Sequence, residues 1–271
     1  MNWWDDALHR AAAEVVLVGA LAGLIGVHVV LRRLSYFTMA LTHATFPGVV
    51  AASIIGVNLV AGGTAAGAVI VLAVAALSRR QGQNAAAATG VMLSAGFALG
   101  AALLATQNGF SRDLSSLLVG SILTVTPQDL ALTAALLAAV IVVLAIGARP
   151  LLFTGFDPTG ARAAGFAVPA WNLVLLFTIE VVVVTVVPAV GTILAVALIV
   201  APAAAARRWS AHLPTLTALA VTFAIAAGLA GLYASQRLNV AAGASIALSA
   251  TGILLASTIL TRHRRRPAMV A

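Results

Sequence analysis

The 271-residue chain has no cysteine, no lysine and only seven acidic residues. Without thiols it can form neither disulfides nor thiolate metal centres. Charged side chains make up 8% of the sequence against 62% hydrophobic ones, and the mean hydropathy is +1.10. Such a chain has too little polar surface to cover a water-soluble body. It also lacks a Walker-type phosphate loop, a nucleophile triad and any clustered metal-ligand motif, so it is not expected to be an enzyme or to hold a resident cofactor. Trp3, Trp4, Asp5 and Asp6 stand where a signal peptide would carry basic residues, so no signal peptide is expected; the tryptophan pair suits a membrane interface.

What the sequence does contain is a succession of apolar runs. They lie near 13–31, 35–57, 61–78, 85–105, 129–148, 170–187, 190–206, 213–233 and 242–261. Each is long enough, or nearly so, to cross a hydrocarbon core of about 30 Å as a helix. In lipid the backbone must satisfy itself, which helices do, and the alternating pattern of a membrane barrel is missing. The expectation is an all-α integral membrane protein, a polytopic bundle of about eight to nine transmembrane helices forming a single domain over 1–271.

The net charge of +8 does not point to nucleic acid, because the arginines fall in short clusters between apolar runs. Arg32, Arg33, Arg79, Arg80, Arg149, Arg162, Arg207, Arg208 and the basic tail from Arg262 to Arg266 can all share one side, with Arg10, Arg112 and Arg237 on the other. By the positive-inside rule the N-terminus is then outside and the C-terminus cytoplasmic. Gly19, Gly23, Gly26, Gly48, Gly56, Gly228 and Gly231 supply the small residues that close helix packing in lipid requires.

Two connections have internal structure. Segment 107–128, QNGFSRDLSSLLVGSILTVTPQ, includes an apolar stretch too short to span and reads as a re-entrant or interfacial element. Thr126, Pro127 and Asp129 then mark the next helix start. Segment 156–166, FDPTGARAAGF, offers Asp157 as an N-cap, Pro158 in the first turn and Gly165 as a left-handed stop, enclosing a short helix with Arg162. It is either a docking element or a tight cap between two spans.

Three side chains are candidates for cation chemistry. His43 lies inside the second apolar run, Met39 stands four residues earlier on the same helical face, and Pro47 removes the amide that would bond to the His43 carbonyl. Glu180 sits near the middle of the sixth run, where a charge costs about 2.5 to 3.5 kcal/mol to insert and usually faces the bundle interior or a water path. Either group can instead be hydrogen-bonded to a neighbouring helix. Pro188 and Pro202 free further carbonyls, as kinks or gates. His28 reads as a packing residue, and His9, His212 and His263 fall near span ends.

GLIGVHVVLRRLSYFTMALTHATFPGVVAA resembles a segment of bacterial zinc, manganese and iron ABC importer permeases that typically reads VVLRRMSYFGDALSHAALPGVALA. SRRQGQNAAAATGVMLSAGFALGAALL, DLSSLLVGSILTVTPQDL, FDPTGARAAGFAVPAWN, VGTILAVALIVAPAAAARR and AAGASIALSATGILL resemble successive further blocks, so the likeness covers nearly the whole chain. It implies a multi-pass permease of the bacterial cell membrane that pairs with a second copy, binds cytoplasmic ABC ATPase subunits and receives its ion from an extracytoplasmic binding protein. It also implies that the segment holding Asp157, Pro158, Arg162 and Gly165 is the coupling helix that docks into the ATPase. In the family an aspartate usually precedes the histidine by four residues; here that position is Met39, so a borderline or hard divalent ion loses a carboxylate. Three accounts follow: Glu180 supplies the acid, the cargo differs, or His43 is a gate. The alternatives are a permease of this fold with a non-metal cargo, or a gradient-driven transporter whose Glu180 carries protons.

Overall fold

Backbone groups that cannot reach water must bond along their own chain, and here they do so in helices throughout the described residues. The computed structural model describes residues 7–77, 85–106, 120 and 122–264. In chain order the elements are α1 (Ala7–Leu31), α2 (Ser35–Ala44), α3 (Phe46–Ile55), α4 (Leu59–Leu77) and α5 (Ala85–Ala105). After a 3₁₀ turn at Ile122–Thr124 come α6 (Pro127–Ile146), α7 (Ala148–Phe156), α8 (Pro158–Ala163), α9 (Val168–Val190), α10 (Thr192–Trp209), α11 (Leu213–Leu238) and α12 (Ala242–Arg264). Most of the expected re-entrant segment 107–128 lies outside the described residues. At its end the cap of α6 is as expected and reciprocal: Thr126 N–H donates to Asp129 Oδ2 at 3.0 Å, and Asp129 N–H donates to Thr126 Oγ1 at 3.2 Å.

Among the fully described residues eight crossings are long and apolar enough for a membrane, α2 and α3 counting together as one. The expected crossing at 190–206 is the helix α10, an 18-residue apolar helix. Arg207, Arg208 and Trp209 close it.

The helices group into two compact units, and the division falls inside α6 and α9. The first unit holds α1, α10, α11 and α12 with the adjoining ends of α6 and α9. Its helices meet at small residues. Gly19 and Gly23 of α1 lie against Ile225 and Val221 of α11, Gly26 lies against the Ile199 carbonyl of α10, and Gly231 of α11 faces Ile246 of α12. Dispersion at such short range stands in for the hydrophobic drive that lipid does not supply.

A side chain at Gly23 would place its Cβ 2.5 Å from the Val221 Cα. Gly23→Leu is therefore expected to destabilise the protein by about 1–3 kcal/mol through overpacking. Gly252→Ala, where nothing lies within 4 Å, should be neutral or better. Thermal denaturation in detergent compares the two, and an unchanged Tm for Gly23→Leu would contradict the packing.

The second unit holds α2–α5, α7, α8 and most of α6 and α9. Here α2 and α3 pack on α5, and α3 packs on α4 through Gly48, Gly62 and Ala52. This unit carries every candidate site residue except Pro188 and Pro202.

Candidate functional site

The second crossing is broken in its middle. α2 ends at Ala44, Thr45 forms a turn, and α3 starts at Phe46 with Pro47 in its first turn. Pro47 was expected to kink one continuous span and to release the His43 carbonyl. The carbonyl is not released: backbone N–H groups at the cap bond to the His43 and Leu41 carbonyls, so His43 offers its imidazole and no spare backbone oxygen. A proline tolerated in a first turn ends one helix and begins the next.

Around the break α2 has two distinct faces. Thr38, Thr42 and Thr45 point inward, their hydroxyls donating back to Leu34 O, Met39 O and Leu41 O at 3.0, 2.7 and 2.8 Å. Met39 is 38% exposed and His43 half-buried. They lie one helical turn apart, on a shared face. The His43 ring meets Phe97 of α5 edge-on at 6.2 Å, and Phe97 stacks on Phe46 at 6.1 Å. Aromatic rings thus bound the imidazole on the α5 side, and the Met39 side stays open. Gly96 and Gly100 let α5 come close enough for this, against Ala44 and Phe46.

Glu180 faces elsewhere. It is 0% exposed, near the middle of α9, and its carboxyl fills a notch at Gly67 of α4 that even a methyl group there would obstruct. Among the described residues neither oxygen has a hydrogen-bond partner. Buried polar groups are nearly always partnered, so an orphaned carboxyl is the least expected feature of the unit. Met39 and His43 are therefore brought together, whereas Glu180 lies against another helix. Among the described residues no cluster of three or more His, Cys, Asp or Glu side chains forms. Pro188 sits two residues before the end of α9, where Gly191 at φ +95° turns the chain into α10.

The short helix is built as expected. Asp157 Oδ1 accepts from the Gly160 N–H at 2.8 Å, Pro158 takes the first position, and Arg162 Nε donates to Pro158 O at 3.2 Å. At the other end Gly165 has φ +85°. Its N–H donates to Arg162 O at 3.0 Å and the Phe166 N–H donates to Ala161 O at 3.0 Å, the paired bonds of a Schellman stop. Ala161 is 0% exposed, while Asp157, Pro158, Thr159, Arg162 and Gly165 are open to solvent. Phe153 and Phe166 meet edge to face at 6.0 Å beneath it. The helix is a fixed, outward-facing knob.

Sequence reading treated Arg32 as a topology marker and missed its structural role. Its Nη1 donates to Asn172 Oδ1 of α9 at 2.7 Å, and its Nη2 donates to Thr154 Oγ1 at 2.9 Å and to the Leu151 carbonyl of α7. Gly155 leaves room for the guanidinium. Burial lowers its pKa from the usual value, yet an arginine stays charged. One side chain thereby ties the α1–α2 corner to α7, which leads into α8. These partners are more than a hundred residues away in sequence, and no local signal announces them.

Arg32→Lys should not restore this fork, because an ammonium lacks its planar spread of donors. It is expected to leave a buried acceptor unpaired and to cost about 1–3 kcal/mol. Thermal denaturation would show it, and a Tm equal to wild type would refute the tie.

A profile of the ABC 3 transport family matches residues 4–261. The chain is 34% identical over 244 residues to the manganese transport system membrane protein MntC of Halalkalibacterium halodurans, covering 90% of this chain and 84% of that one. It is 31% identical over 270 residues to the zinc transport system membrane protein TroC of Treponema pallidum, covering 96% and 91%. Among solved structures, a chain of PsaBC from Streptococcus pneumoniae in complex with Fab superposes with a TM-score of 0.87 at 32% identity, covering 96% of this chain and 94% of that one.

Proposed function

The chain belongs to the ABC 3 transport family, and on that premise we propose that it is the membrane permease subunit of an importer for a divalent transition metal. Separate cytoplasmic ATPase subunits would power it. The observation that carries this reading is the interrupted second crossing, with Met39 and His43 on its open face beside the break. Interrupted helices at membrane depth are tolerated where they line a path, and transporters place their ion sites at such interruptions. In a single chain that face lacks an opposite wall. A second copy would supply it, which supports a homodimer with the path between subunits.

The rest of the machine follows from the same unit. α8 is the element that docks into the ATPase, through Asp157, Pro158, Arg162 and Gly165. Its side of the membrane is then cytoplasmic, together with Arg32, Arg33 and Arg149, and the ion arrives from the opposite face through an extracytoplasmic binding protein. Placing Arg207 and Arg208 on the cytoplasmic side as well requires α10 to act as a ninth passage, which puts the two termini on opposite sides. Relatives named for manganese and zinc support the cargo class. Met39 in place of an acid favours the softer end of that class, because a thioether suits soft ions and a carboxylate hard ones.

The test is uptake by the reconstituted permease–ATPase complex with manganese, zinc, iron and copper in competition, read by elemental analysis. His43→Ala should abolish uptake. Met39→Asp should shift selectivity several-fold toward manganese. Unchanged selectivity in Met39→Asp together with normal uptake in His43→Ala would remove the ion from α2.

A further inference from the structure

At the end of the second unit that carries α7 and α8, a cleft of about 830 Å³ opens beside the α1–α2 corner. Its polar wall includes Arg32, Arg33, Tyr36 and Thr89, and none of the described residues lining it is acidic. Phe37, Val74, Leu173 and Leu176 belong to its apolar lining. Arg32 is engaged by Asn172, Thr154 and Leu151. Arg33 makes no hydrogen bond or ion pair among the described residues, and its backbone holds the left-handed φ of +58°. A left-handed residue other than glycine costs energy and persists where its surroundings impose it. Here the sharp corner sets a second, unneutralised guanidinium at the cleft.

We propose that this cleft binds the headgroup and upper acyl chain of an anionic phospholipid, with Arg33 as the principal phosphate contact. Three features select that occupant. Among the described residues the charge is of one sign and unpaired, which favours an anion. The volume lies in the range of sites for drug-sized organic molecules, and a free phosphate would leave most of it empty. Most of the lining is apolar and the cleft lies at the ends of membrane-crossing helices, where a diester head and a hydrocarbon chain are presented together. An acidic peptide would match the arginines and waste the apolar wall. Because α7 leads into α8 and Arg32 holds α7, a bound lipid would brace the platform beneath the short helix. The site does not depend on which ion is carried.

The test uses the full chain in phosphatidylcholine nanodiscs doped with phosphatidylglycerol, with retained lipid counted by native mass spectrometry. Wild type should retain phosphatidylglycerol over phosphatidylcholine. Arg33→Asn, whose side chain tolerates the left-handed backbone, should reduce that retention about fivefold, and Arg33→Glu should reduce it further, by about twenty-five-fold, taking each unit of charge as about fivefold in affinity. Arg149→Ala removes an exposed arginine that does not line the cleft and should change nothing. Equal losses in Arg149→Ala and Arg33→Asn would reduce the effect to general surface charge and overturn the site. Displacement of the lipid by inorganic phosphate as readily as by added phosphatidylglycerol would make it a small-anion site and overturn the lipid assignment.

Discussion

Replacing Glu180 by leucine is expected to raise the thermal stability of the protein and to abolish transport, two changes of opposite sign. Among the described residues both carboxyl oxygens are without partners, at 0% exposure against Gly67. Leucine has similar bulk, fits the same notch and removes the polar group. The insertion cost of a charge at this depth, about 2.5–3.5 kcal/mol, is the upper limit of the gain. A group retained at such a cost and contributing nothing to packing beyond its volume is one whose use lies in the working cycle. Sliding of α9 past α4 would release the carboxyl from its notch, where a passing cation could use it. Glu180→Gln keeps shape and hydrogen-bonding capacity but not charge. Its uptake should fall about tenfold to a hundredfold, the range seen when a group supporting a metal site is lost. Differential scanning fluorimetry and uptake on the same preparations read both signs. If Glu180→Gln and Glu180→Leu both transport like wild type, the carboxyl is a packing feature and no more.

Enlarging Ala161 should uncouple the machine without dismantling the membrane bundle. Ala161 is the buried face of α8, at 0% exposure, while the helix's outer face is solvated. Ala161→Glu pushes a long polar chain under a six-residue helix held by one N-cap bond and one Schellman stop, and the helix must lift or unwind. ATP hydrolysis stimulated by cargo should drop to the basal rate of the ATPase, and uptake should vanish. Gly165→Val acts from the other end, because φ +85° costs a β-branched residue well over 1 kcal/mol. Arg162→Ala, which removes only the exposed charge, separates docking chemistry from helix shape. Full stimulation in Ala161→Glu and Arg162→Ala alike would sink the docking role.

The parts of this protein that were legible in its sequence are those governed by local rules. Asp157, Pro158 and Gly165 punctuate α8 through bonds spanning three to five residues, and Thr126 with Asp129 does the same for α6. Apolar runs placed the crossings because length and hydropathy decide insertion. The break at Thr45 was legible only as Pro47; whether a proline kinks a helix or starts another depends on what packs around it, here Phe97 and the glycines of α5. Glu180 was conspicuous by type, but the notch that receives it belongs to α4, more than a hundred residues earlier. Arg32 was read for its charge and not for its hydrogen bonds, all of which are long-range.

The break at Thr45 bears on biogenesis. α2 and α3 have ten residues each and rise about 15 Å apiece, so neither half alone reaches across the bilayer. The insertion machinery must therefore admit both halves in one partitioning event, with the turn already inside the channel. Extra polar residues spliced at Thr45 would make each half a failed span and strand the nascent chain in the interface, so this turn tolerates insertion far less than a surface loop of the same length.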